Sequence, residues 1–192
     1  MLKVLVIDEV RECALEICDA LSHAGHMVAA VLADALELND RVREIQPDVI
    51  LIHTDSPSRD TLESLAALDK TFPRPVLMFA EDGEDKVIRQ AMRAGVSSYV
   101  VDGLAPQRLA SLVKVAMARF DEYQNLRAER DEATRKLSER VMIDRAKGVL
   151  MKARGLDEDE AYHALRRMAM ERGRRLGEVA EEVLASARVL LG

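Results

Sequence analysis

Two carboxylates and one imidazole stand at positions where they could hold a divalent metal ion. Asp8 and Glu9 follow the apolar run VLVI, and His53 follows the run VILI. The carboxyl ends of parallel strands share one edge of a sheet, so these side chains are expected to lie close together. Such a set is a recognised metal-ligand set. The alternative, which the sequence favours, is a neutral His53 with no metal, cofactor or catalytic residue at this edge.

The two cysteines do not form a second metal site with each other. Cys13 and Cys18 lie five residues apart on a predicted helix, an offset that turns their side chains about 140° away from each other. Two cysteines are also too few for a disulfide framework, so a reduced cytoplasmic protein is the simplest interpretation. The sequence contains no signal-peptide core and no apolar stretch of membrane-spanning length.

Phosphate binding is a second kind of chemistry that the sequence indicates, near the C-terminus. Residues 135–175 hold twelve Lys or Arg and seven Asp or Glu, although the whole chain of 192 residues has a net charge of −6. That charge belongs to residues 1–119, and residues 120–192 are neutral. Arginines bind phosphates and stack on bases, so they can replace aromatic side chains, which make up only 3% of this chain. The alternative is a solvated charged face that binds nothing.

The elements that must position these residues begin with five short, mostly β-branched runs. The predicted strands are Val4–Ile7, Val28–Leu32, Val49–Ile52, Val76–Phe79 and Tyr99–Val101. Runs that are apolar nearly throughout are typical of strands buried on both faces of a parallel sheet. Helical segments separate them, so the predicted fold class is a doubly wound α/β domain with a site at the carboxyl ends of its strands.

The landmarks of this domain resemble those of response-regulator receiver domains. They are the acidic pair Asp8-Glu9, the Pro47-Asp48 entry to the third strand, and Pro57, four residues after the position of the phosphate acceptor. The resemblance covers residues 1–119. It implies a receiver-like, flavodoxin-like fold in which an aspartate at the end of the third strand accepts a phosphoryl group.

Three residues depart from the pattern of that family. His53 stands in place of the acceptor aspartate, Ala80 in place of a hydroxyl residue, and Asp102 in place of a lysine. Phosphoryl transfer to a carboxylate needs the nucleophile, a carboxylate-bound Mg²⁺ and groups that neutralise the phosphoryl oxygens. Asp55 is a poor substitute acceptor because it lies beyond the strand end. The residues of the predicted degenerate phosphoacceptor pocket are Asp8, Glu9, His53, Ala80 and Asp102.

One long helix is predicted to follow the receiver-like domain. Residues 106–154 contain no proline after the first position and a single glycine, Gly148. Their apolar stripe thins over residues 127–136 and resumes at Leu137. A stripe on a helix that leaves its own domain suggests a coiled-coil dimer seam, whereas the alternative is a helix that packs back on the receiver. We expect a homodimer, at least in the active state, with residues 120–136 as the helical linker.

Three amphipathic helices with short connections are predicted to form a small bundle over residues 137–192. Asp157 begins the second helix, where Glu160 completes the spacing of a capping box. The apolar positions are Met142, Ile143, Ala146, Val149, Leu150 and Ala153, then Ala161, Tyr162, Ala164, Leu165, Met168 and Ala169, then Leu176, Val179, Ala180, Val183, Leu184, Ala187 and Leu190. Tyr162 is assigned to the core with its hydroxyl at the surface, and stacking on a loop base is the alternative. Gly148 costs about 1 kcal/mol relative to Ala, which favours close approach of another helix over that of an RNA backbone.

The residues of this bundle resemble the ANTAR domain, a three-helix RNA-binding module of transcription antiterminators named for the AmiR and NasT regulators. The matching segments are RVMIDRAKGVLM from Arg140, DEDEAY from Asp157, LRRMA from Leu165 and the pair Val179-Ala180. SPSRDTLE and GVSSYVVDG in the first domain also resemble NasT-type nitrate/nitrite response regulators. The predicted domains are therefore a receiver-like domain at 1–119, the linker, and an ANTAR domain at 137–192.

The resemblance implies an antiterminator that is not an enzyme and acts in the cytoplasm. Its bundle is expected to bind paired stem-loops of a leader mRNA and prevent termination, under the control of a sensor or inhibitory protein rather than of phosphorylation. The alternatives are a DNA-binding transcriptional regulator with an inactive receiver, and a protein-only adaptor. The basic residues expected at the RNA are Arg140, Arg145, Lys147, Lys152, Arg154, Arg166, Arg167, Arg174 and Arg175.

Overall fold

Five apolar runs pair as parallel strands of a single sheet. The strands are β1 (Lys3–Asp8), β2 (Met27–Leu32), β3 (Val49–Thr54), β4 (Val76–Ala80) and β5 (Ser98–Val101), in the spatial order β2-β1-β3-β4-β5. The central strands β1, β3 and β4 are buried almost throughout. They have helices on both faces, so their side chains must be apolar on both sides. The predicted doubly wound α/β fold is confirmed.

Five helices cover the two faces of the sheet. They are α1 (Arg11–His23), α2 (Leu38–Ile45), α3 (Arg59–Thr71), α4 (Asp85–Arg93) and α5 (Pro106–Arg154). The side chains of α2, α3 and α4 share one core with Leu5, Ile50 and Met78 of the sheet. Those of α1 and the first part of α5 share the other core with Val6 and Phe79.

The structure is a computed structural model that describes residues 1–101 and 106–191. It divides the chain into two units, Met1–Gln124 and Asn125–Gly192. Helix α5 is continuous over 49 residues, and it supplies core side chains to each unit. No helix within the described residues combines the length and the apolar character that crossing a membrane requires.

The second unit is a bundle of the end of α5 with α6 (Glu158–Arg172) and α7 (Leu176–Leu191). Its buried core consists of Ala146, Leu150, Ala161, Leu165, Ala169, Val179 and Ala180. Asp157 caps α6, because its carboxylate accepts a hydrogen bond from the Glu160 N–H at 2.8 Å while the Glu160 carboxylate accepts one from the Asp157 N–H at 3.0 Å. The predicted three-helix bundle is confirmed.

Two apolar positions of the predicted bundle core point outward instead. Tyr162 is 39% exposed, so its assignment to the core is wrong; it lies at the edge of the buried stripe, and its ring contacts that of His163 edge-to-face. Ala153, the last residue but one of α5, is also exposed. The side chain of Leu190 lies outside the described residues.

The close helix contact in the bundle is made at Gly177 and not at Gly148. A Cβ atom added at Gly148 would meet no other residue within 4 Å, so the prediction that another helix packs against this glycine is wrong. A Cβ atom at Gly177 would lie 2.7 Å from Cγ of Glu139. The first turn of α7 therefore packs so closely on α5 that only a glycine fits without displacing the Glu139 side chain.

Candidate functional site

Asp8 and His53 lie side by side at the carboxyl edge of the sheet. The parallel register of β1 and β3 places the two residues opposite each other. Nδ1 of His53 is 3.1 Å from Oδ2 of Asp8, and the Asp8 side chain is 1% exposed against 20% for His53. The other carboxylate oxygen of Asp8 accepts a hydrogen bond from the Val10 N–H at 2.8 Å. The imidazole therefore occupies the place that the receiver pattern gives to an acceptor carboxylate, next to a buried aspartate.

The third potential ligand at this edge is Cys13 and not Glu9. Glu9 is exposed just beyond the end of β1, so the set of Asp8, Glu9 and His53 that the sequence suggested does not form. Among the described residues, one ligand atom each of Asp8, Cys13 and His53 lies within 4.8 Å of the others. Cys13 is in the first turn of α1, which starts directly over the end of β1. Partial burial and the Asp8 carboxylate raise the pKa of its thiol.

Of the remaining positions of the predicted phosphoacceptor pocket, the structure describes Ala80, whose methyl group cannot hold a phosphoryl oxygen. Ala80 ends β4, opposite Thr54 of β3, and is buried. Asp55 is exposed, and its backbone carbonyl accepts hydrogen bonds from the N–H groups of Glu81 and Asp82. Asp102 lies outside the described residues.

The nine basic residues predicted to contact RNA all belong to the second unit, and eight of them are exposed. Seven of the nine make no ion pair with any described residue. Exposed guanidinium and ammonium groups without a protein carboxylate are available to phosphates. The seven are Arg140, Arg145, Lys152, Arg154, Arg166, Arg167 and Arg175.

Lys147 is the exception to this exposure, because two carboxylates hold it. Its Nζ lies 2.8 Å from Oδ1 of Asp144 and 2.7 Å from Oε1 of Glu158, and its side chain is only 14% exposed. The hydrogen bonds to Asp144 and Glu158 raise the pKa of Lys147, and the bond from Lys147 lowers the pKa of Asp144. Lys147 therefore joins α5 to the start of α6, and it would have to leave these carboxylates to bind a phosphate.

Arg174 is likewise held by acidic residues of α7. It donates hydrogen bonds to Glu178 and Glu182, and Glu182 also accepts one from Arg172 at 2.6 Å. These exposed pairs cross the turn between α6 and α7. Arg174 can reach a phosphate only by exchanging its carboxylate partners for it.

A groove on the bundle brings two of the unpaired arginines together. Arg154 near the end of α5 and Arg167 of α6 line a depression of about 650 Å³ together with His163, Glu160 and Glu171. It lies between the last turn of α5 and the exposed face of α6. Glu160 and Glu171 of α6 also line this groove, so its walls carry charges of both signs.

Apolar side chains are exposed along the part of α5 that belongs to the second unit. Leu126 is 56% and Leu137 is 65% exposed, and Val141 is also exposed. Leu126 and Leu137 are eleven residues apart, which is close to three full turns, so they share one face of the helix. The side chains between them at 128–136 are exposed and polar or small.

Comparisons with known proteins match the chain in two segments. The family model of the response regulator receiver domain matches residues 4–114, and that of the ANTAR domain matches residues 131–184. Among solved structures, the signal receiver domain of a modulated diguanylate cyclase from Desulfovibrio desulfuricans is similar in fold, with a TM-score of 0.56 and 18% identity over 64% of this chain and 98% of that domain.

Two curated relatives are transcriptional or nitrate regulators. The transcriptional regulatory protein PdtaR of Mycobacterium tuberculosis is 24% identical over 182 residues, which cover 95% of this chain and 89% of PdtaR. The nitrate regulatory protein of Klebsiella oxytoca is 34% identical over 83 residues, which cover 43% of this chain and 21% of that protein.

Proposed function

The chain belongs to the response regulator receiver family and carries an ANTAR domain, and from this premise we propose that it is an RNA-binding transcription antiterminator. Its ANTAR bundle binds stem-loops in a leader mRNA and prevents the terminator hairpin from forming. This role places the chain in the cytoplasm, where the leader is transcribed. The naming of one relative as a nitrate regulatory protein supports a role in nitrate or nitrite assimilation.

The observation that carries this proposal is the set of seven basic side chains on the bundle that make no ion pair with a described residue. Arg166 and Arg167 are consecutive on the exposed face of α6, and Arg154 lines the same groove as Arg167. Arginines that are not neutralised by protein carboxylates gain most from phosphate oxygens, because no ion pair must first be broken. A folded stem-loop presents a dense array of such oxygens.

The strand-end chemistry supports control by a protein partner rather than by phosphate. His53 stands at the acceptor position and Ala80 at the hydroxyl position, so the domain lacks the nucleophile and a group that would bind a phosphoryl oxygen. A receiver fold without this chemistry still offers a folded surface. We assign that surface to a sensor or inhibitory protein that releases the chain when its signal arrives.

Dimerisation through the exposed stripe of Leu126, Leu137 and Val141 supports binding of a paired target. Two bundles held in one dimer bind two stem-loops with a raised effective concentration, so two weak sites give one stronger complex. The apolar stripe is a source of dimer stability, because pairing would remove its leucines from water.

The test begins with the RNA that co-purifies with the full chain from cells. A recovered pair of stem-loops, one of these stem-loops alone, and duplex DNA of the same sequence are titrated from about 50 to about 200 mM salt. We expect the paired stem-loops to bind most tightly, with an affinity that falls as salt increases. A preference for duplex DNA would identify a DNA-binding regulator, and absence of RNA binding at low salt would identify a protein-only adaptor.

A charge-matched pair of variants locates the interface. Arg166→Gln with Arg167→Gln removes two unpaired charges from the bundle. Arg59→Gln with Arg89→Gln removes two charges from the receiver domain, where both arginines are held by carboxylates. We expect only the first pair to weaken RNA binding and to reduce its salt dependence, by about one to two in the logarithmic slope. Equal losses of RNA affinity in both double variants would show that the net charge of the chain governs binding, and not the position of Arg166 and Arg167.

A further inference from the structure

Three different ligand atoms converge where the receiver pattern would have only oxygens. Asp8 supplies a carboxylate oxygen from the end of β1, His53 a ring nitrogen from β3, and Cys13 a sulfur from the first turn of α1. One atom from each lies within 4.8 Å of the others. Bonds of about 2.0–2.3 Å to a tetrahedral zinc ion place ligand atoms about 3.3–3.8 Å apart. A shift of about 1 Å in the side chains of Cys13 and His53, which are only partly buried, brings the set to that spacing.

The backbone around these residues already orients two of the three ligands. The β1–β3 register sets Asp8 opposite His53, and the Val10 N–H holds one oxygen of Asp8 at 2.8 Å. The second oxygen of Asp8 faces Nδ1 of His53 at 3.1 Å. The third ligand, Cys13, is partly exposed, so a metal ion can reach the set from solvent.

We propose that Asp8, Cys13 and His53 bind a divalent transition-metal ion of the zinc class. Thiolate and imidazole are the ligands that select zinc and related ions, whereas magnesium prefers a set made of oxygens alone. Three protein ligands leave a fourth tetrahedral position open for water or for a side chain of a partner. Glu9, the third ligand that the sequence suggests, is exposed and outside this set, and the thiol of Cys13 stands in its place.

A cysteine nucleophile activated by His53 and Asp8 is the other chemistry that this set of residues offers. Such a nucleophile needs a thiol that is ionised near neutral pH, with a lowered pKa. Partial burial and the charge of Asp8 act on Cys13 in the opposite direction. A bound cation, by contrast, displaces the thiol proton to solvent as the metal–sulfur bond forms. The convergence of an oxygen, a nitrogen and a sulfur atom from β1, β3 and α1 is the observation that supports a metal ligand at Cys13.

Through this site, the concentration of available metal would act on the receiver domain at the carboxyl ends of its strands. Binding ties α1 to β1 and β3, because the buried carboxylate of Asp8 and the partly exposed thiol of Cys13 then share one cation with His53. This proposal concerns the receiver domain alone and does not depend on RNA binding, so either can fail without the other.

The first experiment titrates the full chain, kept reduced, with Zn²⁺ in a calorimeter and with Co²⁺ in a spectrophotometer. Cobalt reports a thiolate ligand by a charge-transfer absorption and a tetrahedral site by its visible bands. We expect one ion per chain, with both signals. Cys13→Ser is expected to abolish the charge-transfer absorption and weaken Zn²⁺ binding at least about tenfold, and His53→Gln is expected to weaken it similarly. Cys18→Ser is the matched control and is expected to bind as the unchanged chain does.

A second measurement needs no substitution and so does not depend on the folding of a variant. Both cysteines of the reduced chain are partly exposed, and iodoacetamide modifies them at rates that peptide mass spectrometry can follow separately. We expect Zn²⁺ to slow the modification of Cys13 at least about tenfold, as for a thiolate engaged by a metal, and to leave that of Cys18 unchanged. No metal binding, binding that Cys13→Ser leaves intact, or equal protection of both cysteines would overturn the proposal.

Discussion

The ammonium group of Lys147 lies 2.7 Å from the carboxylate of Glu158 and so joins α5 to the first turn of α6. Glu158 belongs to the acidic N-terminus of α6, and Lys147 belongs to the basic last part of α5. The pair also places Lys147 among the residues that hold the bundle together, although the sequence counts it only among those that bind RNA.

Lys147→Met is therefore expected to lower the thermal stability of the bundle more than it lowers RNA affinity. Lys152→Met is the matched control, because Lys152 is exposed on the same helix and makes no ion pair with a described residue. We expect the control to leave the melting temperature unchanged and to weaken RNA binding. Melting curves and RNA titrations of both variants check this, and the reverse pattern would place Lys147 at the RNA.

The capping box of α6 predicts a loss of stability on Asp157→Ala. The variant removes a carboxylate that accepts the Glu160 N–H at 2.8 Å, and loss of such a cap costs about 1 kcal/mol. Asp159→Ala removes an acid from the same helical turn without removing the cap, so it is expected to cost less. Urea denaturation followed by circular dichroism measures both, and equal costs would assign the effect to charge alone.

Gly148→Ala is expected to stabilise the bundle by up to about 1 kcal/mol, because alanine is the better helix former and the added methyl group meets no residue. If the backbone of RNA approaches this glycine, the same methyl group weakens RNA binding, and we expect that loss. Gly177→Ala is expected to destabilise the bundle, since its Cβ would displace Glu139. Denaturation and RNA titration are measured on both variants. Unchanged RNA affinity in Gly148→Ala would exclude contact there.

The strand-end chemistry predicts that a small phosphodonor adds no phosphoryl group to the chain. His53 replaces the acceptor, and its Nδ1 already faces Asp8. His53→Asp is expected to remain unmodified as well, because Ala80 supplies no hydroxyl group. Intact-mass spectrometry after incubation with acetyl phosphate checks both proteins. A stable adduct on the unchanged chain would restore control by phosphorylation.

The exposed stripe on α5 predicts that Leu126→Ala with Leu137→Ala shifts the chain from dimer to monomer. Each substitution removes apolar surface that pairing would bury, at about 25 cal/mol per Å². Met170→Ala removes an exposed apolar side chain of α6 outside this stripe and is expected to leave the oligomeric state unchanged. Sedimentation velocity over a range of concentrations measures the association. A monomer in the unchanged chain with RNA bound would exclude the dimer.

The sheet and the bundle were predictable because their signals are local. Buried runs such as Val49–Ile52 and the cap at Asp157 depend on residues close together in sequence. A helical stripe read from sequence has no sharp edge, so it predicts Tyr162 to point inward. The exposed fraction of a residue at that edge depends on which helix packs there.

The predictions that failed depend on contacts between distant residues. A glycine in a helix indicates close packing against a neighbour. Only the structure shows that the glycine at the close contact is Gly177 of α7 and not Gly148 of α5. On its own helix Cys13 has one other cysteine, Cys18, and the five-residue offset turns the two side chains apart. Its partners Asp8 and His53 come from two strands, and the start of α1 over the end of β1 is what brings them within reach. The five-residue separation of Asp8 and Cys13 across a strand–helix turn was the available signal.

Helix α5 contributes Leu109, Val113 and Ala116 to the core of the receiver sheet, and Ala146 and Leu150 to that of the bundle. No residue of 127–136 belongs to either core. Recombination within the gene segment that encodes this stretch would therefore leave both sets of packed side chains whole, provided that the helix continues through the new joint. The middle of α5 is thus a natural point for exchange, where a receiver domain could acquire a different output domain during evolution.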